Sequence, residues 1–180
     1  MKPALLCLTA VTLLSGCAAV ANRPTDESRW CYQQAKRKLC TSGPVPSLKA
    51  DAEAKTFQPA AERQRVYIYR DNFWDADGIA IVSIGDTEFR LLPHSFVLAD
   101  LPKGAYALRV RSSSQQSARV VDVAPGDLGF VEVHQTWHPL DIEFSARNVE
   151  PKTAVQRVSR SRLIGMAKTG ASSQTPAAPR

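Results

Sequence analysis

The stretch Leu101-Pro102-Lys103-Gly104-Ala105-Tyr106-Ala107-Leu108-Arg109-Val110-Arg111 decides the fold. Pro102 and Gly104 set a turn. Beyond it Tyr106, Leu108 and Val110 alternate with Arg109 and Arg111, the period of two that puts an apolar face on one side of a strand and a charged face on the other. Upstream, Phe96 and Leu98 follow Pro93, and Phe89 and Leu91 share one side of a strand over 87–91. Gly85-Asp86 stands where a tight turn would join that strand to a β-branched one over 78–84, Gly85 supplying a left-handed conformation. Val66-Tyr67-Ile68-Tyr69 places aliphatic and aromatic residues on opposite faces of a further strand. Downstream, 119–123, 128–137 and 140–144 read as strands, with a turn at Ala124-Pro125-Gly126-Asp127. Seven or eight short strands between Gly, Pro and Asp turns, with no amphipathic helices between them, predict an all-β fold. The expected architecture is an antiparallel β-sandwich of about seven strands over 64–146.

The 180 residues leave room for one domain of ordinary size, and 44% hydrophobic with 22% charged residues is a globular composition. The amino terminus has a different pattern. Met1-Lys2-Pro3 is a short positive region, 4–14 is apolar, and Leu14-Ser15-Gly16-Cys17 ends in small residues. Eleven apolar-rich positions cannot cross a hydrocarbon core of about 30 Å, which needs about 20 in a helix. Leu14-Ser15-Gly16-Cys17 resembles the bacterial lipobox at every position. The resemblance implies a signal peptide over 1–16, diacylglyceryl transfer to the Cys17 thiol, cleavage before it and N-acylation. Ala18 in place of Asp implies, by the same likeness, an address in the outer membrane, lipid-anchored at its periplasmic leaflet. The formal charge is +6, and loss of Lys2 leaves 22 basic and 17 acidic side chains. An exported chain does not meet nucleic acid routinely. Its surplus reads either as a soluble charged surface or as weak attraction to phospholipid head groups, lipopolysaccharide and cell-wall material.

The flanks are expected to be irregular. Residues 17–25 read as a tether. Asp26-Glu27 and Lys36-Arg37-Lys38 suit the two ends of a helix dipole, predicting a short helical segment within 26–40. With Cys7 in the leader and Cys17 lipidated, Cys31 and Cys40 remain as a candidate disulfide. A continuous helix would hold their Cα atoms about 13 Å apart, against roughly 4.4 to 6.8 Å for a bridge. Either the segment turns before Cys40 and the bridge forms, or the thiols pair between molecules or stay free. Residues 41–63, with Pro44, Pro46 and Pro59, read as a linker holding at most a helical turn. Residues 147–168 read as a basic segment, helical from Pro151 to about Met166 with Val155, Val158 and Leu163 on its apolar side, and 169–180 as a disordered tail.

Three pieces, Val82-Ser83-Ile84-Gly85-Asp86, then Leu98 through Val110, then Val123-Ala124-Pro125-Gly126-Asp127, resemble a family of uncharacterised bacterial lipoproteins with one small β-sandwich. They are also similar to PEGA-type domains, in which a strand carrying V-x-I-G precedes L-P-x-G-x-Y-x-L-x-V. The likeness covers about residues 65–145. It implies an immunoglobulin- or PEGA-like fold and an envelope address, with no catalytic residues to carry over.

Candidate chemistry is sparse. His134 and His138, with Glu132, would suit a metal in a helix, but four residues of strand cover about 13 Å, too far for two ligands on one zinc at about 2 Å. Asp75-Ala76-Asp77-Gly78 has glycine at the wrong position for a calcium loop and reads as a turn. His94, beside Pro93, reads as an exposed turn residue. No nucleophile elbow, phosphate loop or zincin motif is present, so neither metal nor cofactor is expected. Phe73 and Trp74, two aromatics in the polar stretch Arg70-Asp71-Asn72-Phe73-Trp74, are the candidates for partner recognition, the other reading being that one folds back over an open end of the sandwich. The expectation is a non-catalytic envelope lipoprotein whose sandwich binds a protein or glycan partner or supports envelope structure. The rival is a small envelope hydrolase, for which His134, His138 and Glu132 would have to converge in a pocket.

Overall fold

A computed structural model describes residues 28–34, 37–71, 78–112, 119–123, 126–138 and 141–168. The expected leader, Cys17, the tether, Phe73 and Trp74, and the tail over 169–180 lie outside the described residues. In chain order the elements are β1 (Cys31–Gln34), β2 (Arg37–Cys40), α1 (Leu48–Ala54), β3 (Arg63–Arg70), β4 (Ala80–Ile84), β5 (Thr87–Leu91), β6 (Ser95–Pro102), β7 (Tyr106–Ser112), β8 (Arg119–Val123), β9 (Leu128–His138), β10 (Asp141–Asn148), α2 (Pro151–Arg160) and β11 (Arg162–Lys168).

The fold is all-β. A four-stranded antiparallel sheet, β5-β4-β7-β8, faces a five-stranded sheet, β10-β9-β3-β6-β11. Alternation builds the core between them. Val66, Ile68, Val97, Ala99, Leu101, Val131, Val133 and Phe144 point in from the five-stranded sheet, and Ala80, Val82, Ile84, Leu91, Leu108 and Val110 from the four-stranded one. The deciding stretch behaves as its period dictates, with Leu108 and Val110 buried and Ala107 and Arg109 exposed. Gly85 turns β4 into β5 at φ 56°, a backbone conformation that costs glycine little. Two pairings, β3 with β9 and β6 with β11, are parallel.

The other face of the five-stranded sheet is also buried, because α1 and α2 lie over it. Tyr67, Tyr69, Phe96, Leu98, Phe130 and Leu163 pack there against Ala54, Ala154 and Val158. Each large side chain so buried contributes roughly 1.5–3 kcal/mol. The domain therefore departs from the expected boundaries on both sides. Residues 41–63 are not a free linker, since Ser47 caps α1 by accepting from the Ala50 N–H, and the Asp51 carboxylate accepts from the Leu163 N–H at 2.7 Å. Nor does the sandwich end at 146. The helix expected to reach Met166 stops at Arg160, and 162–168 adds β11 alongside Ser95–Asp100 of β6.

The helical segment expected within 26–40 is corrected too. β1 and β2 form an antiparallel hairpin in register Cys31 with Cys40, their Cα atoms 4.0 Å apart and their sulfurs bonded. That separation is a third of what a helix would impose, so bridge and helix exclude each other, and the bridge forms.

Candidate recognition site at one end of the sandwich

The site grows from the carboxyl end of β3. Val66, Ile68 and Arg70 share the inward face of this strand, so a guanidinium occupies a position where the period calls for an aliphatic side chain. Arg70 is 0% exposed. Its guanidinium carbon lies 4.8 Å from the Phe144 ring centroid. One terminal nitrogen donates to the Gly78 carbonyl at 2.9 Å and the other to Gln135 Oε1 at 3.0 Å. Because arginine cannot shed its proton, burial is tolerable only with such charge-assisted bonds, each worth about 1.5–3 kcal/mol. Arg70 thus ties the end of β3, the residue leading into β4 and strand β9 to one point.

Asp71 follows on the outer side of this clamp. Its Oδ1 is 3.4 Å from His94 Nδ1, and the Tyr32 ring of the disulfide hairpin sits 5.3 Å from the His94 ring. Burial raises the Asp71 carboxyl above its ordinary range, opposed by the charges of His94, Arg157 and Arg160. His94 is not a plain exposed turn residue. It is partly buried, holds φ 52°, and its carbonyl accepts from the Arg162 N–H at 3.0 Å. That bond pins a backbone conformation costly to a non-glycine residue.

On the helix-covered face, Glu132 sits directly across from Arg147 and accepts its Nε at 3.0 Å and its terminal nitrogen at 2.8 Å. The second Glu132 oxygen accepts from Arg157 of α2. Beside it the Tyr69 hydroxyl is buried and has no hydrogen-bond partner among the described residues. Burial, reinforced by the Glu132 charge and partly offset by Arg157, pushes its pKa up to about 12. His134 faces Ser145 across the β9–β10 pair, with Nε2 2.8 Å from the hydroxyl. Glu132 and His134 therefore each hold a neighbour on β10, and the side chain of His138 lies outside the described residues.

Among the described residues no three His, Cys, Asp or Glu side chains group as metal ligands. Phe73 and Trp74 fall between Asp71 and Gly78, the two residues on either side of the Arg70 clamp. Sequence reasoning named that pair but passed over Arg70, whose signal was a charge at the third inward position of a strand, and Gln135 and Arg147, which carry none. No protein-family model, curated protein or solved structure matches the chain.

Proposed function

We propose that this chain is a non-catalytic, lipid-anchored envelope protein whose β-sandwich presents the loop between β3 and β4, with Phe73 and Trp74, to a protein or glycan partner. The observation that carries the reading is the Arg70 clamp. A buried guanidinium bonded to Gly78 and Gln135 fixes both feet of that loop to the core, and a loop held at its base loses less entropy on binding. The commitments of Glu132 to two arginines and of His134 to Ser145 support structural parts for the residues a hydrolase would have needed free. The lipobox-like Leu14-Ser15-Gly16-Cys17 supports the anchor and the outer-membrane address.

The test is photocrosslinking in cells from a photoreactive residue at position 74, with mass spectrometry of the adduct and of the amino terminus. A discrete adduct together with an acylated Cys17 is the expected result. Absence of any adduct would overturn the recognition loop, and a terminus without lipid would overturn the anchor.

A further inference from the structure

The two sheets differ in what covers them. Both helices lie on the five-stranded sheet, whereas the outer face of the four-stranded sheet has Glu88, Arg90, Ala107, Arg109 and Asp122 exposed. Cross-strand register orders this face. Arg90, Ile81 and Arg111 stand in one row across β5, β4 and β7, and Glu88, Ser83 and Arg109 in the next. Arg111 is 3.3 Å from Glu88. The guanidiniums of Arg90 and Arg109 have no ion pair or hydrogen bond among the described residues. Strand spacing puts the Arg90 and Arg111 positions about 10 Å apart, and the pleat puts Arg109 and Arg111 about 7 Å apart.

Next to Arg90 the face runs into a cleft of about 180 Å³ between edge strand β5 and the loop after the disulfide hairpin. Thr41, Ser42, Gly43, Glu88, Phe89 and Arg90 are among the residues that line it. Arg29 donates to the Ser42 carbonyl at 3.1 Å. The hairpin disulfide and the Thr41 hydroxyl, which bonds Gly43 O at 2.8 Å and the Trp30 N–H at 3.1 Å, hold this wall in place.

We propose that this face and cleft form a second binding surface whose ligand is an anionic glycan, a sugar chain bearing carboxylates. The cleft is well below the ~300 Å³ at which drug-sized pockets begin, a size for one sugar ring. Beside the apolar Pro44, Val97 and Ile164, its lining residues Ser42, Glu88, Arg90 and Phe89 bring hydroxyl, carboxylate, guanidinium and aromatic groups of the kind that meet sugar hydroxyls and ring faces. The uncommitted guanidiniums of Arg90 and Arg109 then take acid groups further along the chain, through charge-assisted bonds stronger than neutral ones. A protein partner would need apolar or aromatic anchors at the centre of the patch, and here Ile81 is buried and Ala107 is small.

The test is isothermal titration of the full chain in neutral detergent with a short oligogalacturonate. A neutral oligoglucose of equal length and phosphatidylglycerol vesicles serve as comparisons. The expected result is saturable binding of the acidic chain, weakened by salt, with about a tenfold loss in Arg90→Gln/Arg109→Gln. Gly43→Phe, at a lining position where a Cβ meets nothing within 4 Å, puts a bulky ring at the cleft wall and should weaken binding. No binding, equal binding of the neutral chain, or an affinity unchanged in the arginine variant would overturn the proposal, as would preference for the vesicles. The exposed double variant should keep the melting temperature of the parent, which separates lost binding from lost folding. Neither readout involves the loop at position 74, so this proposal and the loop reading fail independently.

Discussion

Replacing Arg70 by methionine asks whether the clamp at the end of β3 stabilises the domain or merely survives in it. Methionine keeps much of the length and can still pack on Phe144, so volume is a minor factor. Among the described residues, what is lost includes two bonds from a fully buried guanidinium. The Gly78 carbonyl is only partly buried, and water can replace its partner at a cost of about 1 kcal/mol or less. Gln135 Oε1 sits in a buried bond, and loss of its charged donor costs about 1–3 kcal/mol. Loss of the cation over the Phe144 ring adds about 1 kcal/mol. These losses come to about 2–5 kcal/mol, and relief of the cost of keeping the charge away from water offsets part of them. The bonds should still win, with a net loss of about 1–2 kcal/mol in urea unfolding followed by circular dichroism. The double variant Arg70→Met/Gln135→Leu should regain about 1 kcal/mol, because the buried acceptor is gone together with its charged donor. A single variant as stable as the parent, or a double variant in which the two losses simply add, would refute the clamp.

Three further outcomes follow from the packing and the charges. A Cβ at Gly165 would lie 2.8 Å from Phe89 Cδ1 and 3.3 Å from Val97 Cγ1, so Gly165→Ala should cost about 1–3 kcal/mol by forcing β11 from β5, read as a lower melting temperature; Gly165→Ala/Phe89→Leu should recover part of it. Burial pushes the phenols of Tyr67 and Tyr69 up to about 12, above an ordinary value of 10.0. Their protonated forms are thus favoured in the fold, and the unfolded chain ionises first. The contribution of these two phenols should be level below pH 10 and fall between pH 10 and 12, by roughly 1 kcal/mol per pH unit for each phenol after allowance for screening, and Tyr67→Phe/Tyr69→Phe should flatten that fall. Cys31→Ser/Cys40→Ser should loosen the hairpin by about 2–3 kcal/mol on chain-entropy grounds, seen as faster proteolysis within 28–45 with the sandwich core still protected.

The parts of the fold legible in the sequence are those where one face meets the core and the other meets water. β7 is the clearest, since Leu108 and Val110 go in and Arg109 stays out. The less legible parts are those where tertiary partners decide. Cys31 and Cys40 lie in a stretch whose charges suit a helix dipole, and only the bond between them and the cross-strand register select a hairpin. Arg162–Lys168 is a strand because Asp51, over a hundred residues away, takes the Leu163 N–H, and because β6 offers an edge. Its one local sign was Gly165, a poor residue for a helix interior. The candidate site divides the same way. Phe73 and Trp74 stood out by composition, whereas the Arg70 clamp needed the fold to bring Gln135 across.

One local signal carried more than the strand it predicted. In β3 both faces are apolar, Val66 and Ile68 on one and Tyr67 and Tyr69 on the other, which a two-layer sandwich with a wetted outer face does not require. Such a strand demands a third layer, and α1 and α2 supply it, with the Tyr67 hydroxyl donating to the Ala54 carbonyl at 2.7 Å. β7 makes the opposite demand, since its outward positions are Ala107, Arg109 and Arg111 and no helix covers them. The sandwich is therefore asymmetric by sequence. One sheet spends both faces on stability, and the other keeps a face on which Arg111 pairs with Glu88 while Arg90 and Arg109 stay unpaired among the described residues. A helix docked on β4 and β7 would have to bury Arg109 without a partner on this face, at a cost of several kcal/mol, so the same residue that keeps the face open favours an approaching ligand that brings negative charge.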